Sequence, residues 1–216
     1  MAEDKLHRYE STKVVVTWDA PRCIHAAECV HGLPEVFDPK AKPWIRPDAA
    51  DPASVADVVN RCPSGALSMR HLDGTPAMVV PPLNTGAVTP DGPNYLRGQL
   101  TLRAGDAVVE DTRIALCRCG HSQNKPYCDG SHRKAGFKDE GALPAEVPAR
   151  PGTDLSAPLT IKPIPNGPIQ CAGPLVLRGS DGRTAFSDQT FLCRCGHSQN
   201  KPYCDGTHRK IGFTTT

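Results

Sequence analysis

One 18-residue stretch occurs twice in this chain. It runs from Cys117 to Lys134 as Cys-Arg-Cys-Gly-His-Ser-Gln-Asn-Lys-Pro-Tyr-Cys-Asp-Gly-Ser-His-Arg-Lys, and again from Cys193 to Lys210 with a single change, Ser131 to Thr207. Packing does not demand such repetition, because cores tolerate hydrophobic exchanges of similar volume. Each copy holds three cysteines and a histidine at Cys-x-Cys-x8-Cys-x3-His spacing. Soft thiolates and one imidazole within so short a segment form a donor set for a metal or a metal–sulfur cluster.

The spacing divides the donors into pairs. Cys117 and Cys119 are closer than the cysteines of an ordinary zinc knuckle, but in an extended segment alternate side chains share a face. Cys128 and His132 are one helical turn apart and point the same way if a helix begins near Asp129. Asp129 is suited to cap that helix and Gly130 to close backbone approach. Two readings follow: two ligand pairs on two metals, or one Cys3His zinc site. A disulfide framework fits less well, because each copy has an odd number of cysteines.

The pattern Cys-x-Cys-x2-Ser-x3-Pro-x-Cys-Asp-Gly-(Ser/Thr)-His resembles the signature of the CDGSH iron–sulfur family, the mitoNEET relatives. The first copy matches with Cys117, Cys119, Ser122, Pro126, Cys128, Asp129, Gly130, Ser131 and His132. The second matches with Cys193, Cys195, Ser198, Pro202, Cys204, Asp205, Gly206, Thr207 and His208. The resemblance implies a 2Fe–2S cluster in each copy. The first would be held by Cys117, Cys119, Cys128 and His132, the second by Cys193, Cys195, Cys204 and His208.

The 216 residues are 5% aromatic and 38% hydrophobic, thin for one large core and suited to small modules braced by metal sites. The net charge of +2 makes no whole-chain case for nucleic acid or an anionic membrane. The first eight residues are charged and carry no apolar signal segment, and no run approaches the roughly 18 apolar residues of a membrane span. Ten cysteines without a secretory signal favour a reducing, cytoplasmic setting and metal ligation.

Along the chain, residues 12–18 read as a strand, residues 53–61 as a helix with Val55, Val58 and Val59 on one face, and residues 66–72 as a strand. Cys23, Cys29 and Cys62-Pro63 match the outer pair and the late Cys-Pro of a bacterial ferredoxin, but Ala26 stands at the middle ligand position. Residues 8–72 therefore resemble the divergent single-cluster ferredoxin domain. Three cysteines imply a 3Fe–4S cluster, or a 4Fe–4S cluster with its fourth corner filled by His25, water or another group; a cluster-free fold with buried cysteines is the alternative. His25 sits one position off the ligand slot and is read as a solvent-facing or core residue.

The repeat extends upstream of the cysteines. Asp91-Gly92-Pro93 is answered by Asn166-Gly167-Pro168, and Leu100-Thr101-Leu102 by Leu175-Val176-Leu177. Each turn opens two predicted strands that lead into the first ligand. The alignment sets Cys171 against Leu96, so the tenth cysteine reads as a core residue. Pro- and Gly-rich residues 75–90 and 138–165 read as linkers or extended wraps. Residues 1–75 carry 9 Lys/Arg against 11 Asp/Glu, and the remainder 16 against 12. Arg118, Lys125, Arg133 and Lys134, with Arg194, Lys201, Arg209 and Lys210, form either a solvated face or an electropositive docking rim for an acidic redox partner. His121 and His197 read as neighbours of the sites.

The expected architecture is α+β: a ferredoxin-like domain (8–74), a linker (75–90), a first CDGSH module (91–137), a wrap (138–165) and a second module (166–213). The two modules should pack as an intramolecular pseudo-dimer in a monomer, with the metal sites facing separately outward and the ferredoxin-like module docked alongside. No nucleophile–base pair, phosphate loop or dinucleotide fingerprint supports an enzyme. The expected function is that of a soluble electron-transfer protein serving a partner protein. Cluster storage or transfer to an apo-protein is the alternative, and a zinc structural module a third reading.

Overall fold

The computed structural model describes residues 6–75, 77–148 and 154–215. Residues 1–5, 76, 149–153 and 216, which include parts of the segments 75–90 and 138–165, lie outside them. The chain divides into two compact units between Val79 and Val80.

The first unit has strands β1 (Leu6–Glu10) and β2 (Val14–Asp19), a short helix α1 (Glu28–Gly32), helix α2 (Pro52–Arg61) and strand β3 (Leu67–His71). The sheet is antiparallel in the order β1-β2-β3. Val14, Val15 and Val16 of the central strand are all buried, as a β-branched run covered on both faces should be. Asp51 caps α2, its Oδ1 accepting from the Ala53 and Ser54 amides at 3.0 Å each. Pro52 occupies the first helical position, where no amide donor is needed. Val55, Val58 and Val59 face the core with Phe37, Ile45, Leu67 and Met69. The predicted strands and helix are thus present as β2, β3 and α2. Strand β1 was not foreseen, because Leu6-His7-Arg8 is an exposed, charged edge with no alternation to read.

The second unit contains β4 (Thr85–Val88), β5 (Asn94–Ala104), β6 (Ala107–Leu116), α3 (Ser131–Lys134), β7 (Leu159–Pro163), β8 (Ile169–Arg178), β9 (Thr184–Leu192) and α4 (Thr207–Lys210). Strand β5 pairs antiparallel with β4 and β6 and parallel with β7. Strand β8 pairs antiparallel with β7 and β9 and parallel with β4. Strands β4, β5, β7 and β8 therefore close a ring of neighbours, with β6 and β9 attached outside it. The register obeys the repeat: Thr85 lies opposite Arg97 and Val176, and Thr160, 75 positions later, opposite Ala172 and Thr101. This is the pseudo-dimer expected from the sequence, and the α+β class holds.

One core serves both copies. Leu96, Leu100, Ile114 and Leu116 of the first pack in the same cluster as Cys171, Leu175, Leu177 and Leu192 of the second. Cys171 is fully buried, and burial pushes its thiol up to about 12, in keeping with a core role. The side chain of Asn84, just before β4, ties the copies together. It donates to the carbonyls of Ala157 (2.7 Å) and Pro174 (3.1 Å) and accepts from the Gln99 amide at 2.9 Å.

Two assignments need correction. The segments read as linkers, 75–90 and 138–165, each contribute a ring strand, β4 and β7. Leu143 is also buried in the shared core, and Val147 bonds to the backbone of Thr184 and Phe186 beside β9. Their apolar alternation lasts only four or five residues, too short to stand out against the surrounding Pro and Gly, and one partner of each lies in the other copy.

Ile161 in β7 is fully buried between β5 and β8. Ile161→Ala should cost about 2–5 kcal/mol, and both copies should unfold together. Denaturant unfolding followed by a probe in each copy checks this by the coincidence of the two transitions.

Candidate metal centres

Each copy builds its site by doubling the chain back on itself. After β6 the loop returns so that the Cys117 amide donates to the Pro126 carbonyl and the Cys128 amide to the Ala115 carbonyl, both at 2.8 Å. An isolated bridge between Leu116 and Tyr127 completes this short ladder, which sets Cys128 beside the segment carrying Cys117. The loop is held from inside by the Ser122 hydroxyl, which donates to the Tyr127 carbonyl (2.6 Å) and accepts from the Asn124 amide (3.0 Å). Lys125 Nζ donates to the Ser122 carbonyl at 2.7 Å. The second copy repeats the scheme with Cys193, Pro202, Cys204 and Phe191, and with Ser198 as the inner brace.

Within each copy the donors come in two pairs. The Sγ atoms of Cys117 and Cys119 are 3.8 Å apart, as are those of Cys193 and Cys195. Two thiolates bound to one tetrahedral metal with bonds of about 2.3 Å would be separated by about 3.8 Å. Cys128 Sγ lies 3.3 Å from His132 Nδ1, and Cys204 Sγ 3.3 Å from His208 Nδ1, near the about 3.5 Å expected for sulfur and nitrogen sharing a metal. Among the described residues no three His, Cys, Asp or Glu side chains converge on one metal position. The geometry thus suits one metal per pair, not a single Cys3His ion. Amide donors reach the sulfurs: His121 N to Cys119 Sγ and Gly130 N to Cys128 Sγ, both at 3.4 Å.

The helix carrying the histidine begins one residue later than predicted. Gly130, at φ 86°, is the N-cap of α3, while the Asp129 carboxylate accepts from the Ser131 amide (2.9 Å) and the Gln123 amide (2.8 Å). Asp129 therefore joins the start of the helix to the loop. Its carboxyl lies below the ordinary range because these donors outweigh burial, which opposes them.

The thiols are electrostatically unequal. The hydrogen bond shared with Cys119 holds the Cys117 thiol below its usual range, and the one shared with Cys195 does the same for Cys193. The donors Cys119 and Cys195 are pushed well up. Burial pushes Cys128 up to about 11 and shifts His132 down, the latter keeping its imidazole neutral, the form that can ligate a metal.

The two Cys-x-Cys loops lie in contact with each other. A Cβ on Gly120 would lie 2.8 Å from the Cys195 carbonyl oxygen, and one on Gly196 2.6 Å from that of Cys119. The charged rim also needs revision. Arg118 and Arg194 are 1% and 3% exposed and cannot belong to a docking surface, whereas Arg133, Lys134, Arg209 and Lys210 are exposed. Arg118 donates to the carbonyls of Gly92 (3.0 Å) and Thr89 (2.6 Å) and pairs with Asp139. Arg194 donates to Gly167 (3.0 Å) and Ile164 (2.5 Å). Both arginines brace the turns that open β5 and β8. His121 and His197 are exposed beside their sites.

The first unit has a third candidate centre. Cys23, Ala26, Cys29 and Cys62 line one cavity of about 600 Å³, walled by Tyr9, Trp18 and Trp44. Trp18 and Trp44 meet edge to face with ring centroids 5.0 Å apart. The buried Arg22 donates to the Ser64 carbonyl at 2.9 Å, drawing the segment before Cys23 to the segment after Cys62. Positive φ at His25 (54°) and Ala27 (66°) curls the intervening loop around the cavity. Burial pushes the Cys29 thiol up, and the Cys62 and Cys23 sulfurs add to the effect. A donor set of three soft sulfurs in an aromatic-walled cavity fits a multi-iron cluster. His25 and Ala26 are exposed at the cavity's edge.

Such an arrangement, with two doubled-back thiol–imidazole sites on one β-rich body and a three-thiol cavity in a separate unit, fits a metal–sulfur protein. Comparison with known proteins agrees. Residues 9–72 match the family described as "Divergent 4Fe-4S mono-cluster". Residues 91–133 and 166–209 match the family described as "Iron-binding zinc finger CDGSH type". The Escherichia coli K12 protein named "Uncharacterized protein YjdI" is 44% identical over 63 residues, covering 29% of this chain and 83% of that protein. The protein of the same name in E. coli O157:H7 matches to the same extent. The chain belongs to the iron–sulfur proteins, joining a divergent 4Fe–4S mono-cluster domain to a tandem pair of CDGSH domains. No helix among the described residues is long and apolar enough to cross a membrane.

The loop contact generates a stability prediction. Gly120→Ala and Gly196→Ala add a clash to a backbone strained at φ 85° and 84°, and each should destabilise the second unit by about 1–3 kcal/mol. Gly136→Ala, at φ 62° with nothing within 4 Å of its Cβ, should lose only the left-handed backbone cost of about 1 kcal/mol. Denaturant midpoints of the three variants check the ranking.

Proposed function

We propose that this protein is an electron carrier rather than an enzyme, with two 2Fe–2S centres and a third cluster in its first unit. The first 2Fe–2S centre is assigned to Cys117, Cys119, Cys128 and His132, and the second to Cys193, Cys195, Cys204 and His208. The observation that carries this reading is the sorting of each donor set into a sulfur–sulfur pair and a sulfur–imidazole pair, each spaced for one metal. A bound 2Fe–2S cluster supplies a site that takes or gives one electron without making or breaking bonds in the protein. The chain holds the cluster sulfurs' surroundings fixed with buried serine, amide and lysine contacts, which keeps reorganisation small. One neutral imidazole in place of a thiolate leaves the centre less negative and raises its potential. It also makes ligation sensitive to acid, because a proton competes for the same nitrogen. Cys23, Cys29 and Cys62 are assigned to a 3Fe–4S cluster, or to a 4Fe–4S cluster whose fourth ligand comes from outside these cysteines. The exposed Arg133, Lys134, Arg209 and Lys210 suit an acidic partner protein, and a cytoplasmic setting suits the thiolate ligands.

A second reading, cluster delivery, is favoured by one observation. Cys128 and His132 are 3% and 7% exposed, whereas Cys204 and His208 are half-buried. The second centre is the more accessible to acid and to an acceptor. Incubation with an apo-ferredoxin separates the readings: movement of iron and sulfide into the acceptor supports delivery, and movement of electrons alone supports carriage.

His132→Cys and His208→Cys should each retain a cluster, lower the potential of that centre and flatten its pH dependence. Protein-film voltammetry across pH reads all three; an unchanged profile in both variants would remove these histidines from the ligand set. In the first unit, the oxidised protein should give a 3Fe–4S EPR signal, and Ala26→Cys should convert the centre toward 4Fe–4S. If iron and sulfide match only the two CDGSH centres after anaerobic reconstitution of the full chain, no cluster resides on Cys23, Cys29 and Cys62.

A further inference from the structure

The 18-residue motifs are nearly identical, but what surrounds them is not. Asp91 and Asp139 flank the first centre, and the corresponding positions beside the second are Asn166 and Thr215. The equivalence is structural. The Asp139 amide donates to Asp91 Oδ1 at 2.8 Å, and the Thr215 amide donates to Asn166 Oδ1 at 2.9 Å. The same hydrogen bond survives in both copies with the carboxylates removed from one. Lys138, which pairs with Asp91 at 2.7 Å, is likewise replaced by Thr214. The Lys138 side chain is 81% exposed and its charge is largely screened by solvent, whereas the Asp139 side chain is 15% exposed and its charge is felt more strongly.

We propose that the two CDGSH centres have unequal reduction potentials, the first lower and the second higher, and that Asp91 and Asp139 set the order. The inference rests on the cluster assignment made above. Adding an electron to a centre is opposed by nearby negative charge and assisted by nearby positive charge and by solvent. At the first centre Asp139 pairs with the buried Arg118, and Asp91 is held beside it by the Asp139 amide. At the second, Arg194 makes its turn contacts through the neutral carbonyls of Gly167 and Ile164, and Thr215 stands at the position of Asp139. Two cross-contacts work the other way. Asp139 Oδ2 also lies 3.7 Å from Lys201 Nζ, and Arg194 is within electrostatic reach of Cys117. The greater exposure of Cys204 and His208 works in the direction of a higher potential at the second centre. With the Cys119–Gly120 and Cys195–Gly196 loops in contact, an electron entering the pair settles on the second centre.

The test is potentiometric titration of the full chain, followed by EPR, after iron and sulfide analysis has counted the clusters. Wild type should give two CDGSH midpoints. Asp91→Asn with Asp139→Asn should raise the lower midpoint. Asn166→Asp with Thr215→Asp should lower the higher one toward the first. The second pair of substitutions removes no existing ion pair, so it remains informative if loss of Asp139 loosens the Arg118 turn. Both clusters at one common midpoint, or a response of the lower midpoint to the Asn166 and Thr215 changes, overturns the proposal alone. A chain that binds no cluster at the two motifs overturns the cluster assignment and this inference together.

Discussion

Parallel pairing of β4 with β8 and of β7 with β5 is the contact on which the second unit depends. Each copy begins with a short strand that forms an antiparallel pair with its own hairpin and a parallel pair with the other. Neither copy of about 45 residues offers enough apolar surface for a self-sufficient core; closing the ring puts Leu96, Leu100, Leu175 and Leu177 into one cluster. The metal-binding loops grow from the ends of β6 and β9, so their positions follow from the ring's registry. Asn84 makes that registry specific, since its amide is satisfied only when Ala157, Pro174 and Gln99 are all in place.

The sites use backbone to do what the spacing of the donors does not do unaided. A Cys-x-Cys segment can set two sulfurs on one face, and a helical turn can align a cysteine with a histidine. Bringing the two pairs together requires the return ladder through Pro126, Tyr127 and Cys128, locked by Ser122. Buried Arg118 and Arg194 then attach each Cys-x-Cys segment to the turn that opens its own sheet. The side chain between the two thiols thereby connects the metal site to the fold.

Much of this was legible in the chain. The duplicated motif, the strands leading into it, the core role of Cys171 and the helix with Val55, Val58 and Val59 all rest on local periodicity or self-similarity, which a linear reading can detect. The missed features depend on residues distant in sequence. Strands β4 and β7 are too short to announce themselves, and each has one partner in the other copy. Arg118 and Arg194 look like surface charge because nothing local reveals the carbonyls of Thr89, Gly92, Ile164 and Gly167 waiting for them. The role of Arg22 in joining the Cys23 and Cys62 segments is hidden for the same reason. The Asp139 and Thr215 difference lies just past the 18-residue repeat, where the two copies are no longer alike in sequence.

The shared ring has a consequence for dilution. Two separate chains that exchange strands in this way would come apart as their concentration fell. Here the second copy is tethered to the first through the segment between residues 138 and 158, so each meets its partner at an effective concentration set by the tether and not by the amount of protein present. The pairing is therefore a property of a single molecule. Because the partner is always supplied in cis, the two halves are also free to diverge: a substitution on one side is never copied onto the other, as it would be in a symmetric assembly of identical chains.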